Sequence, residues 1–141
     1  MPARLEIALK DDLFDAEGEG IRRKAANYFG MTLSRVRSVH ILTIEADLNP
    51  EQLKQIQSDI FTNPVTQISS FEPLAVPFDW TIWVGYRPGV RDNAGATAVE
   101  AIEDLLGLTF ADDAAVYTSR RYCIQGSGLA EDDLNQIAGE L

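Results

Sequence analysis

One cysteine and one histidine in 141 residues exclude most of the chemistry a small domain can carry. A single thiol, Cys123, forms no internal disulfide and supplies too few ligands for a structural zinc site, which fits a reducing compartment. Bases are also scarce, 12 against 22 acidic residues, for a net charge of −10. A surface that negative repels phosphate backbones and anionic lipid, so neither nucleic acid nor a membrane is expected as a partner. Long apolar runs are missing too. The most apolar stretch, Trp80–Val84, is far too short to span a bilayer, and the first ten residues alternate polar and apolar instead of forming a signal-peptide core. These absences together lead us to expect a cytoplasmic protein.

Phosphate-binding motifs are missing as well: no G-x-x-x-x-G-K-[ST] or G-x-G-x-x-G follows a strand. Gly18-Glu19-Gly20 sits among acidic residues and reads as a loop entering a helix, and Gly126-Ser127-Gly128 as a flexible turn. A thiol nucleophile needs a histidine base and a group that orients it, but Cys123 and His40 find no third member. They read as a buried small apolar group and a satisfied strand histidine. Acidic pairs at Asp11-Asp12 and Asp112-Asp113 read as solvated turns, while Glu131-Asp132-Asp133 complements a helix dipole. No catalytic, cofactor or metal site is expected in this chain.

What is there is ordinary globular material, 45% hydrophobic and 24% charged, arranged twice over. Sliding the chain on itself until Leu5 meets Ile82 lays Leu13 on Val90, Asp15 on Asp92, Gly18 on Gly95 and Gly30 on Gly107. Past that glycine a slightly longer offset lays Val36 on Tyr117, Ser38 on Ser119 and Leu48 on Leu129.

Each copy reads from its periods. Arg4–Lys10 alternates as a half-buried strand, Asp15 is a candidate N-cap, Ile21, Ala25, Tyr28 and Phe29 keep helical spacing, and Gly30 suits a left-handed stop. Val36–Asp47 is apolar on both faces, as a central or interface strand would be. Pro50 suits a first helical turn, Asn63-Pro64 ends that helix, and Val65–Phe71 reads as a third strand. The second copy gives strand Trp80–Arg87, helix Gly95–Leu106, strand Ala115–Gln125 and helix Glu131–Leu141. The predicted fold is therefore α+β: a tandem repeat of β-α-β-α-β units with antiparallel sheets and helices on one face. Residues 1–72 form the first unit, 73–79 a linker, and 80–141 a second unit without its last strand. The counterpart of Asn63-Pro64 would follow Leu141, so the pattern implies a longer polypeptide.

Leu9-Lys10 to Asp15 and Gly18, Val36-Arg37, and Asn63-Pro64-Val65 resemble the strand–turn, middle-strand and last-strand motifs of PurS. PurS is the small subunit of bacterial phosphoribosylformylglycinamidine (FGAM) synthase. In the second copy Tyr86-Arg87-Pro88-Gly89-Val90-Arg91-Asp92 keeps the proline of that turn, and Ser119-Arg120-Arg121-Tyr122 is similar to the family's GKY segment. Asp11 and Val39-His40-Ile41 depart from the pattern in the first copy.

The resemblance implies a tandem PurS-like region of a purine-biosynthetic, ATP-dependent and glutamine-using ligase. Such a region is non-catalytic and joins the synthetase and glutaminase parts for ammonia transfer, with self-association possible. ATP, magnesium and glutamine would belong to the complete enzyme. Sequence alone offers Trp80, Trp83, Tyr86, Arg87, Asp92, Arg120, Arg121 and Tyr122 as interface candidates, because aromatic and arginine side chains concentrate where surfaces meet. Trp80, Trp83 and Tyr86 lead to a further expectation, that the helix-free sheet faces meet each other or a partner. Paired α+β units of this kind also serve as regulatory modules that bind a small ligand between copies, which is the alternative function.

Overall fold

A computed structural model describes residues 2–86 and 92–141. Its elements run β1 (Ala3–Leu9), α1 (Ala16–Phe29), β2 (Arg35–Glu45), α2 (Pro50–Ile56) and a π-helical turn (Gln57–Phe61). They continue with β3 (Gln67–Ser70), β4 (Trp80–Gly85), α3 (Asn93–Leu106), β5 (Ala115–Gln125) and α4 (Glu131–Ala138). The helix ends lie where local chemistry puts them. Asp15 accepts from the Gly18 amide at 3.0 Å and caps α1, Asn49 and Gln52 cap α2 reciprocally, and Gly30 and Gly107 both end their helices in the left-handed region at φ 65°. The third strand is shorter than its sequence suggests because Asn63–Thr66 is spent on a turn, in which the Thr66 and Gln67 amides bond back to the Asn63 carbonyl.

The strands form one antiparallel sheet in the order β3-β1-β2-β5-β4. The expected plural sheets are thus a single sheet, joined edge to edge where β2 and β5 pair along their full lengths, from Arg35 opposite Gln125 to Glu45 opposite Ala115. His40 faces Arg120 at the centre of this pairing. The physical reason is visible in β2 and β5 themselves. Each is eleven residues long, and side-by-side pairing satisfies a row of backbone groups that face-to-face stacking would leave open.

All four helices pack on one sheet face. Ile21 and Ala25 of α1 and Leu134 and Ile137 of α4 close over Val36, Ile82, Tyr122 and Ile124. Ile56 of α2 and Ala98 and Ile102 of α3 close over Ile44 and Val116. Each cluster therefore draws on residues from both sides of segment 73–79.

That segment does more than link. Because β3 and β4 are opposite edges of the sheet, the chain between them must cross it, and it crosses the helix-free face. Leu74 and Val76 pack on Ala8, Val39, Ile41 and Cys123 there, and the Leu74 amide donates to Glu6 at 2.9 Å. The strap explains why β1 is buried on both faces rather than on one. It also corrects the expectation of mated helix-free faces: part of this face is covered by the chain itself.

Candidate functional site

The carboxylate of Asp15 does two jobs. Besides capping α1 it accepts from the Ser38 amide at 2.6 Å and from the Ser38 hydroxyl. The last β1–β2 pair is Ile7 with His40, so the Ser38 amide lies beyond the paired part of β1 and β2, and the side chain takes the place of a ladder partner. Asp92 repeats this, accepting from the Gly95 amide at 2.8 Å and the Thr118 amide at 2.6 Å just beyond the last β4–β5 pair, Gly85 with Ser119. The same two places hold glycines against carbonyls: a Cβ on Gly18 would stand 2.1 Å from the Val36 oxygen, and one on Gly95 would stand 2.2 Å from that of Val116. The structure thus sets Val36 with Val116 and Ser38 with Thr118. The alignment of Val36 with Tyr117 and Ser38 with Ser119 is one residue too long, and in a strand one residue exchanges the faces.

Seating α1 this way delivers Glu17, in its first turn, to the centre of the helix-covered face. There it receives three donors from the two central strands. His40 Nε2 lies 2.7 Å from one oxygen, while the Tyr122 hydroxyl donates to the other at 2.7 Å and Arg120 at 3.3 Å. Burial opposes ionisation of Glu17, but the Tyr122, His40 and Arg120 contacts outweigh it and hold the carboxyl below its usual range. Burial, then the hydrogen bond to Glu17 and its negative charge, pushes the Tyr122 phenol well above its usual range, so it stays a donor.

Sign and window follow from these directions. The stability from Glu17 is present above the unfolded glutamate pKa and is lost as pH falls below about 4.5. That from Tyr122 is present below about pH 10 and is lost as pH rises further. We expect Tyr122→Phe to flatten the alkaline limb of a melting-temperature profile between about pH 10 and 11, leaving the neutral plateau lower by about 1 kcal/mol. An unchanged alkaline slope would contradict this.

The remaining sequence candidates divide. Trp80 packs against the α1–α4 core, and Tyr122 is 2% exposed. Asp92 is the α3 cap, and Arg121 reaches the helix-free face, where its guanidinium grips both oxygens of Glu6 at 2.8 and 2.9 Å. Arg120 and Arg121 thus point to opposite faces, as strand alternation requires. Trp83 stays 50% exposed on the helix-free face, donating to Ser119 Oγ at 3.0 Å with the guanidiniums of Arg4 and Arg121 stacked on its ring at 5.1 and 5.8 Å. Tyr117, 51% exposed, shares that face. Tyr86 is exposed at the mouth of a cleft beside Arg120, and Arg87 lies outside the described residues.

Cys123 is buried on the helix-free face with its thiol pushed up by burial, across the sheet from His40, so the two form no nucleophile–base pair. Among the described residues no cluster of histidine, cysteine and carboxylates could hold a metal, and no helix is long and apolar enough to cross a membrane. Sequence reasoning singled out Arg120 and Tyr122 but missed Glu17. Its only signal was its place inside the Asp15-x-x-Gly18 turn, and its partners are set by strand register. No family model, curated protein or solved structure matches the chain.

Proposed function

We propose that this chain is a PurS-like assembly domain, a β-α-β-α-β unit written twice with the last strand of the second copy missing. In this reading it is the non-catalytic part of FGAM synthase that joins synthetase and glutaminase. The observation that carries this reading is the doubled Asp-x-x-Gly device. Asp15, Gly18, Val36 and Ser38 make the same contacts as Asp92, Gly95, Val116 and Thr118, and the two halves meet about the His40–Arg120 pair. Such an arrangement supplies within one chain the pair that separate small subunits would form, at high effective concentration.

The partner surface in this reading is the uncovered part of the helix-free face, where half-exposed Trp83 and Tyr117 stand beside Arg4. A half-exposed tryptophan flanked by arginine has the composition of a binding hot spot. Trp83→Ala should weaken binding to a mixture of FGAM synthetase and glutaminase at least tenfold in sedimentation velocity, while lowering the chain's own stability by only about 1 kcal/mol. If wild-type chain forms no complex with those proteins, the assignment fails. If the complex forms and Trp83→Ala leaves it intact, only the surface is wrong.

A second role, ligand binding between the halves, is favoured by one feature of the helix-covered face, a cleft beside Arg120.

A further inference from the structure

Between the two helix pairs the helix-covered face opens into a cleft of about 700 Å³. Ile60, Phe61 and Leu42 wall one side. On the other, Ala94, Ala98 and Ala101 of α3 are short enough to leave the space open. The lining is unusual for this protein: in a chain with 22 acidic residues, no carboxylate lines this cleft among the described residues. Its charged lining among the described residues is Arg120, with the His40 imidazole alongside. A cleft of similar size beyond the ends of β2 and β5, lined by Glu45, Asp47 and Asp113, shows the usual condition of this surface.

Arg120 is also under-used. Its one hydrogen bond among the described residues is the long contact to Glu17, its side chain is about half exposed, and a guanidinium has five N–H donors. We propose that this cleft binds a small monocarboxylate with an apolar body, its carboxylate on Arg120 and its body between Phe61 and the alanines of α3. The fork of a guanidinium matches a carboxylate with two hydrogen bonds. A dianionic phosphate ester is the poorer fit, because Glu17 already takes part of the positive charge of Arg120 and would face the second negative charge. The inference is independent of the assembly reading, which uses the opposite sheet face.

The test uses the intact chain and three probes with one ring: phenylacetate, its neutral amide phenylacetamide, and phenyl phosphate. Amide-resonance titrations should show saturable shifts with phenylacetate, concentrated at residues 94–101 and 118–120 and in Phe61. Binding of the amide should be roughly tenfold weaker, as should that of phenylacetate to Arg120→Gln. Ala101→Phe fills the cleft while keeping the arginine and should abolish the shifts, which keeps the test decisive if Arg120→Gln disturbs the Glu17 cluster. No saturable shift at millimolar phenylacetate would overturn the proposal. So would equal affinity for the amide, tighter binding of phenyl phosphate, or undiminished binding by Ala101→Phe.

Discussion

Arg121→Met should cost the fold about 3–5 kcal/mol and lower its melting temperature by roughly 10–20 °C. Glu6 is 2% exposed, its carboxylate oxygens are held by both terminal nitrogens of Arg121, and one oxygen also accepts the Leu74 amide of the strap. Burial alone would push the Glu6 carboxyl up. The Arg121 hydrogen bonds, the Leu74 amide and the Arg121 charge reverse that and hold it below its usual range. Removing the guanidinium leaves a negative charge in a site that water barely reaches, and the large cost arises from that isolation rather than from the pair's attraction. The strap should loosen with it, since its amide shares the same carboxylate.

The double variant Glu6→Gln/Arg121→Met keeps an acceptor for Leu74 while removing the charge, and should recover most of the loss. Urea denaturation of the wild type, the single variant and the double variant measures all three. A single variant within 1 kcal/mol of wild type would show that Glu6 finds water or protonates at no cost.

Gly18→Ala and Gly95→Ala should each destabilise by about 3 kcal/mol, although alanine is the better helix former. Both glycines lie in the first turns of helices pressed against a strand carbonyl, and the added methyl would overlap backbone, which cannot swing aside as a side chain can. Relief requires the helix to lift, and lifting breaks the Asp15 contacts to Ser38 or the Asp92 contacts to Thr118.

Gly20, one residue past Glu19 in the same helix, is the control. Nothing lies within 4 Å of its would-be Cβ, so Gly20→Ala should stabilise by about 0.5–1 kcal/mol. Thermal melts of the three alanine variants read the contrast. Equal effects at positions 18 and 20 would mean that the close helix–strand approach does not exist. Losses at 18 and 95 that differ by several kcal/mol would undercut the equivalence of the two turns.

The legible parts of this fold are those whose chemistry is local. The capping of α1 by Asp15, the left-handed stop at Gly30, the first turn at Pro50 and the extent of β5 all depend on residues within a few positions, and all could be read directly. Apolar side chains on both faces of β2 marked it as central.

What could not be read is non-local. Whether β2 and β5 would pair at their edges or belong to stacked sheets is decided by backbone groups that every sequence has. Glu6 alternates as an outward residue should, and is buried only because a strap more than sixty positions later, at Leu74, crosses it. The candidate site shows the same split. Arg120 and Tyr122 stood out as an arginine and an aromatic on one strand, but Glu17 gains its role only when β2 and β5 bring His40, Arg120 and Tyr122 to one face. The one-residue error in aligning the second half arose in the loop before β5, whose length no local pattern in the sequence reveals. The Asp92–Thr118 contact fixes it in space.

The most direct test of the assembly account is a coupled assay of FGAM formation by synthetase and glutaminase, with this chain titrated in. The account predicts that glutamine-dependent turnover rises with added chain to saturation near one chain per complex, while turnover driven by free ammonia stays unchanged. Glutamine-dependent turnover that ignores the chain at every concentration would contradict it.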